Sequence, residues 1–468
     1  MSDKFFITTT IPYVNSTPHV GHAQEFVLAD ACARFHRQNN ADVILQSGTD
    51  DNAVKNVLSA KESGIDTKTF VDRNAKAFQS LLEQLNVKTD FFVRTSSKDH
   101  EAGVTAFIRN LNPKDLYTDD YSGLYCQGCE DFFNPNDLVN GLCPDHQKAP
   151  EQINERNVFF RLSKYQDEIL KLIETGQVRI EPASRKKEII KFISAGLKDI
   201  SISRSSDRSF GWGVPFPDFP DQVVYVWIDA LINYLSGSGY GRNENWRKTW
   251  NQDVYKIHVI GKNVWKFHAI YWVALLLSAE LPLPNEIFIH GFLTTNGTKI
   301  SKSLNNGGNL LDIIKEYGSD GLRYFLLSAL SLTEDADFSE SQLNQIYNAE
   351  LANKIGNLAS RLLTLRSKIS ELPETKIQIQ HNTKNYLEAI RLALQTVNKL
   401  NREIDSVKPW ELLKANEQSA LRRNLLNWIS ELQRIAYWAT PVIPLAASKL
   451  ENAITDLSVK LSPLFPKK

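Results

Sequence analysis

Residues 5–22 read Phe5-Phe6-Ile7-Thr8-Thr9-Thr10-Ile11-Pro12-Tyr13-Val14-Asn15-Ser16-Thr17-Pro18-His19-Val20-Gly21-His22. An apolar, strand-like run ends in a proline-bearing turn, and His19-Val20-Gly21-His22 opens a helix-like stretch from Ala23 to Arg37. A helix amino terminus carries N–H groups without intrahelical partners and partial positive charge, so it can hold phosphate. Two histidines add donors, and Gly21 allows close backbone approach. The plainer alternative is that His19 and His22 only cap the helix. Far downstream, Lys299-Ile300-Ser301-Lys302-Ser303 sits in a polar, glycine-containing segment, Thr294 to Asn309, after the apolar run Ile287-Phe288-Ile289. Two lysines on a loop able to close suit charge that builds on phosphate oxygens; taken alone, they read equally as a solvated surface loop. The order, separation and contexts of the two motifs carry the reading.

Strand-like and helical runs alternate on both sides of these motifs, which predicts an α/β chain with a parallel, Rossmann-type sheet. At about 100–200 residues per domain, 468 residues suggest two to four domains. The apolar fraction of 42% and charged fraction of 23% are those of a globular chain. No apolar run approaches the roughly 20 residues of a membrane helix, so no membrane association is expected. Met1-Ser2-Asp3-Lys4 leads straight into a strand-like run, which predicts no signal peptide and a cytoplasmic location. Net charge is zero. Any surface for a polyanion must therefore be local: Arg185-Lys186-Lys187 with Lys191, or Arg361, Arg366 and Lys368. Each of these clusters also reads as a solvated helix face.

Three of the four cysteines form Cys126-Gln127-Gly128-Cys129 and, after thirteen intervening residues, Cys143-Pro144-Asp145-His146. Two Cys-x-x-Cys/His pairs around a short loop predict one structural, tetrahedral zinc held by Cys126, Cys129, Cys143 and His146. Three clustered cysteines are odd in number and the chain reads as cytosolic, so disulfides fit poorly. Cys32, in the first helix-like stretch, reads as a small buried apolar residue.

Together the two motifs resemble the signatures of class I aminoacyl-tRNA synthetases. Four further stretches narrow the resemblance to the methionyl-tRNA synthetases, from residue 5 to about residue 450. They are Thr8 to Asn15, Gly48-Thr49-Asp50 after Val43-Ile44-Leu45, Val223 to Ala230 with Tyr234, and Ile260-Gly261-Lys262-Asn263 leading to Phe267-His268. The resemblance implies ligation of L-methionine to tRNA(Met), using ATP with Mg2+. It implies a methionine pocket of Ile11, Tyr13, Asp50, Trp227, Ala230, Tyr234 and His268. ATP would meet His19, Gly21, His22, Gly261, Asn263, Lys299, Ser301 and Lys302, of which His19, His22, Lys299 and Lys302 would act in catalysis. The chemistry agrees, because a thioether packs favourably against aromatic rings and a carboxylate such as Asp50 suits the substrate ammonium. From the residues alone, Trp227 and Tyr234 read first as plain core packing.

The chain departs from that family's pattern at three places. Thr49-Asp50-Asp51-Asn52-Ala53 stands where the family has Thr-Asp-Glu-His-Gly, Ala230-Leu231 where it has Ala-Pro, and Asn263 where it often has Asp. These departures keep two rival readings open. One is a class I synthetase for another apolar amino acid; the other is a non-ligating paralogue that binds tRNA or an adenylate.

The expected division has five parts. Residues 1–112 form the first half of the catalytic sheet, 113–204 a connective insertion with the zinc knuckle, and 205–290 the second half. Residues 291–340 form the Lys-Ile-Ser-Lys-Ser loop and linker, and 341–468 a helical bundle. The insertion is too short for a separate hydrolytic editing domain. In the bundle, Leu351, Ile355, Leu358, Leu362 and Leu365 recur at offsets of three and four, one apolar helix face. By resemblance this is an anticodon-binding domain, with Asn357 and Arg361 four apart on one face and Trp410 as a stacking ring. From the residues alone, Trp410 is as readily a core residue. The chain stops soon after the bundle, which predicts a monomer.

Overall fold

The structure is a computed structural model and describes residues 3–126, 131–133, 138–144, 147–295, 297–299, 309–369, 383–415, 417–456 and 463–468. Six strands form a parallel sheet: β1 (Lys4–Thr9), β2 (Asp42–Thr49), β3 (Phe91–Arg94), β4 (Arg179–Glu181), β5 (Tyr255–Gly261) and β6 (Glu286–His290). Their order is β3-β2-β1-β5-β6-β4, and every neighbouring pair is parallel. Buried on both faces, such strands carry unbroken apolar runs rather than alternation. Phe5, Phe6 and Ile7 in β1 and Ile287 and Ile289 in β6 are all buried. Strand order reverses between β1 and β5, and in such sheets ligands bind beyond the carboxyl ends of the strands at that reversal.

Contacts divide the chain into two compact units: residues 1–18, 42–81 and 89–290 in one, and 19–41, 82–88 and 291–468 in the other. The first unit contains the sheet and a core around Phe6, Phe107, Trp250 and Trp272. The region expected as an insertion carries a four-stranded antiparallel sheet built on Leu116–Cys126 and Glu151–Phe160, with Asp131–Phe133 and Ile200–Ser201 at its edges. It also returns a strand to the main sheet, since β4 pairs Ile180 with Ile287. Three residues are too few to show a period, so the pattern gave no sign of this strand. The apolar run from Val223 divides in two: a strand ends at Val224, and a helix spans Val226–Leu231.

In the second unit, helix Val20–Gln38 belongs with the C-terminal helices although it follows β1 directly in sequence. A fully buried ion pair anchors it there: Arg323 Nη1 lies 2.7 Å from Asp30 Oδ2, and Arg34 Nε lies 2.6 Å from the same oxygen. Arg323 also donates to the carbonyls of Leu85, Pro441 and Val442. A buried charge satisfied this fully holds its neighbours in one register; removing one partner of such a pair typically destabilises by about 3–5 kcal/mol. The bundle packs Tyr386–Val407, Gln418–Ala439 and Pro444–Thr455 with Asn357–Arg366. Leu351, Ile355, Leu358, Leu362 and Leu365 are buried along one face, as their spacing predicts.

Candidate active site

Two pairs of aromatic or imidazole side chains follow the carboxyl ends of β1 and β5. Tyr13 and Trp227 have ring centroids 5.8 Å apart. The Tyr234 hydroxyl lies 2.7 Å from His268 Nε2, and His268 Nδ1 lies 2.9 Å from the Val264 carbonyl oxygen. A carbonyl can only accept, so in the neutral ring Nδ1 carries the proton and Nε2 accepts from Tyr234. Trp227, Ala230 and Tyr234, three and four residues apart, can share a face because the run folds as helix rather than strand. Asp50, 1% exposed, follows β2 and bridges to Tyr13, with its N–H donating to the Pro12 carbonyl. Ile11 packs against β2 at Gly48, where a Cβ would stand 3.0 Å from Ile11 Cγ2 and 2.3 Å from the Val93 carbonyl oxygen. A glycine is required there.

Two residues that the sequence reading did not assign to a pocket belong to this wall. Phe267 stacks on Trp227 at 4.0 Å between centroids and 6° between planes; its position beside His268 was the only sequence signal. His258, in register with Thr8 on β1, packs 4.2 Å from the Tyr234 ring and sits 2.7 Å from Thr8 Oγ1. Burial, reinforced by His268 and Lys256, holds its imidazole well below the ordinary range, so the ring is neutral. The departures also resolve locally. Leu231 is part of the core. Asp51 is held by Arg94, Ser96 and Thr49 at 2.8, 2.5 and 2.9 Å.

His19 is the N-cap of helix Val20–Gln38. The Gly21 N–H donates to His19 Nδ1 at 3.1 Å, and the His19 N–H donates to His22 Nδ1 at 3.1 Å. The capping alternative and the phosphate reading are therefore compatible. With both Nδ1 atoms accepting, the neutral rings carry their protons on Nε2, the donor a phosphate needs. Gly21 is tightly constrained, since a Cβ there would stand 3.0 Å from His19 Cε1.

Gly261 ends β5, and the side-chain oxygen of exposed Asn263 lies over it, 3.1 Å from where a Cβ would be. Lys299 lies in a two-residue strand paired with Thr294; Ser301, Lys302 and Ser303 lie outside the described residues.

Cys126 and Cys143 are buried, at 4% and 0% exposure, and neither is in a disulfide. The chain doubles back at each. Cys126 pairs in register with Asp131, while the Cys143 N–H donates to the Lys148 carbonyl and its carbonyl accepts from the Gln147 N–H. Soft thiolate donors presented from two tight reversals fit zinc. Cys129 and His146 lie outside the described residues, and among the described residues no group of three His, Cys, Asp or Glu could hold a metal.

In the bundle, Asn357 and Trp410 are exposed and Arg361 is half-buried, so Trp410, 42% exposed, is not a core residue. The Arg361 guanidinium stands 5.9 Å from the Trp410 ring centroid and 2.7 Å from Asp405 Oδ1. Among the described residues no helix is long and apolar enough to cross a membrane.

Comparison with known proteins agrees with this geometry. The profile of class I tRNA synthetases (M) matches residues 5–152 and 134–363. The methionine–tRNA ligase of Thermotoga maritima is 38% identical over 94% of this chain and 73% of its own length. That of Rickettsia conorii is 37% identical over 96% and 92%. A methionyl-tRNA synthetase of Mycobacterium tuberculosis in complex with methionyl-adenylate matches with a TM-score of 0.89 at 33% identity, covering 99% of both chains. The free form of the M. tuberculosis enzyme matches with a TM-score of 0.83 at 32% identity, covering 100% of this chain and 99% of the other.

Proposed function

Since the chain belongs to the methionyl-tRNA synthetases of class I, we propose that it is a methionine–tRNA ligase, activating L-methionine with ATP and passing it to tRNA(Met). The observation that carries the proposal is the set of Tyr13, Trp227, Tyr234, Phe267 and His268 after the strands at the reversal of the sheet, with buried Asp50 bridged through its backbone to Tyr13. Aromatic rings take a thioether, at about 0.3–1.5 kcal/mol per contact. Asp50 takes the ammonium.

In the first step a methionine carboxylate oxygen attacks the α-phosphorus, and the bond to the β-phosphate oxygen breaks to release diphosphate. His19 and His22 donate from Nε2 to the triphosphate, and Lys299 and Lys302 stabilise the charge that grows on the leaving diphosphate. Magnesium arriving with ATP supplies further neutralisation. In the second step the 2′-hydroxyl of the terminal adenosine attacks the methionyl carbonyl, AMP leaves, and the hydroxyl proton passes to its phosphate. No side chain needs to be a nucleophile; positioning and electrostatics supply the rate.

In the same unit as the parallel sheet but in a separate stretch of chain, Cys126, Cys129, Cys143 and His146 would hold one zinc as a structural clamp. Asn357, Arg361 and Trp410 would bind the CAU anticodon, with an unstacked base against the indole. A cytoplasmic monomer completes the proposal; a sedimentation mass near twice 53.1 kDa would contradict its monomeric part. The central test is ATP–diphosphate exchange across the standard amino acids. Exchange with methionine far above all others is expected; exchange with none, or with another amino acid, overturns the reading.

A further inference from the structure

Asn52 sits at the junction of two parts of the pocket. Its backbone N–H donates to Asp50 Oδ1 at 3.0 Å, and the Thr95 hydroxyl donates to the same oxygen at 3.3 Å. Its side-chain nitrogen donates at 2.9 Å to the Thr95 carbonyl and at 2.7 Å to Asp229 Oδ2. The acceptors are a carbonyl and a carboxyl oxygen, so both amide hydrogens are in use and the amide has one orientation. Asp229 lies in the helix Val226–Leu231, between Trp227 and Ala230. Its other oxygen lies 2.8 Å from His100 Nε2, and His100 Nδ1 lies 2.7 Å from the Ser236 hydroxyl. Asn52, Asp229, His100 and Ser236 are all at least nine-tenths buried.

We infer that Asn52 is a positioning and specificity-determining residue for methionine activation. It ties the carboxylate that receives the ammonium, Asp50, to the helix that carries the thioether wall, and so fixes the distance between them. That distance is the length of amino-acid side chain the pocket accepts. The Asp229–His100–Ser236 chain holds the far end of the tie: Asp229 cannot rotate toward solvent without abandoning His100. One nitrogen with two protons is what the geometry uses. An imidazole carries one proton per nitrogen and could not serve Thr95 and Asp229 from a single atom.

The inference rests on the proposed function, and the experiment separates the two. ATP–diphosphate exchange is measured for wild type and Asn52→Ala with methionine, the shorter homocysteine and the longer ethionine. In Asn52→Ala the KM for methionine should rise about tenfold, the scale of losing buried hydrogen bonds to charged groups. The KM for ATP should stay within about twofold, and the preference for methionine over ethionine should shrink about fivefold or more. A merely structural substitution would not change selectivity among side-chain lengths. In a double-mutant cycle with Asp229→Asn, the second substitution should add little, because either one breaks the same link. Unchanged selectivity, or fully additive effects, overturns the inference. Should Asn52→Ala not fold, Asn52→Gln keeps the amide but moves it by one methylene, with the same shift expected and the same outcomes decisive. Failure of the wild type to exchange with methionine would instead overturn the proposed function.

Discussion

The Tyr234 hydroxyl and His268 Nε2 are 2.7 Å apart, and both rings are buried, so each fixes the other. Tyr234→Phe leaves His268 Nε2 without that donor in a site water does not readily reach. The expected loss is about 1–3 kcal/mol of transition-state binding, on the order of tenfold to a hundredfold in kcat/KM for methionine. Thermal stability should fall as well, by about 1–3 kcal/mol, because the acceptor stays buried and unpaired by Tyr234 although the ring still fills its place. Exchange kinetics at varied methionine measure it; a kcat/KM equal to wild type would remove the pair from the pocket.

Cys143→Ser addresses the metal. Wild-type protein purified without chelator should contain one zinc per chain, and the variant should contain none. Limited proteolysis should then cut between residues 126 and 151 while the parallel sheet resists, since β1 to β6 lie outside that stretch. Elemental analysis and mass spectrometry of the fragments decide it. A wild-type chain free of zinc would end the assignment.

Trp410→Ala should leave methionine-dependent exchange near wild type. Use of tRNA bearing CAU should weaken by roughly 1–3 kcal/mol, the worth of one base–aromatic stack. The motivation is the exposed indole beside the Arg361 guanidinium. Aminoacylation kinetics with CAU and altered-anticodon tRNAs check it; equal charging of CAU tRNA by a folded variant would exclude the stack.

A pH-dependent effect is expected at Lys256, whose ammonium is 1% exposed and donates to the carbonyls of Asn251 and Val254. Burial lowers its pKa to about 8. The unfolded chain holds this proton up to the ordinary lysine range, whereas the folded chain releases it above about pH 8. Between those values the unfolded state binds more protons, so this group's destabilising contribution is full below pH 8 and fades as pH rises. Lys256→Met removes it. The stability of the variant relative to wild type should therefore decline as pH rises above 8, as read by denaturant unfolding at a series of pH values. A difference independent of pH would show that Lys256 does not titrate in that window.

Much of the fold was legible before the structure, and the site residues were legible as candidates. The leucine stripe through Leu351 and Leu365 and the helix opened by His19 follow from period and capping, which are local. Phe267 was missed because stacking on Trp227 joins positions forty residues apart. Asn52 was legible only as a departure, because its partners Thr95 and Asp229 lie far along the chain. Trp410 could not be placed from its own neighbourhood, since exposure depends on which helix packs where.

What the sequence determined by itself is the α/β class, the family, and the candidate residues proposed here for methionine, phosphate and metal. Those are written in short motifs and in periodic patterns of apolar residues, both of which survive without knowledge of the fold. Only the tertiary structure decided that Val226–Leu231 is a helix presenting Trp227 and Ala230, that Arg179–Glu181 closes the sheet edge, and that Arg323 is buried against Asp30. Each of these depends on partners brought together by closing long loops. Their energies come from burial and from paired polar groups that exist only once the chain has folded.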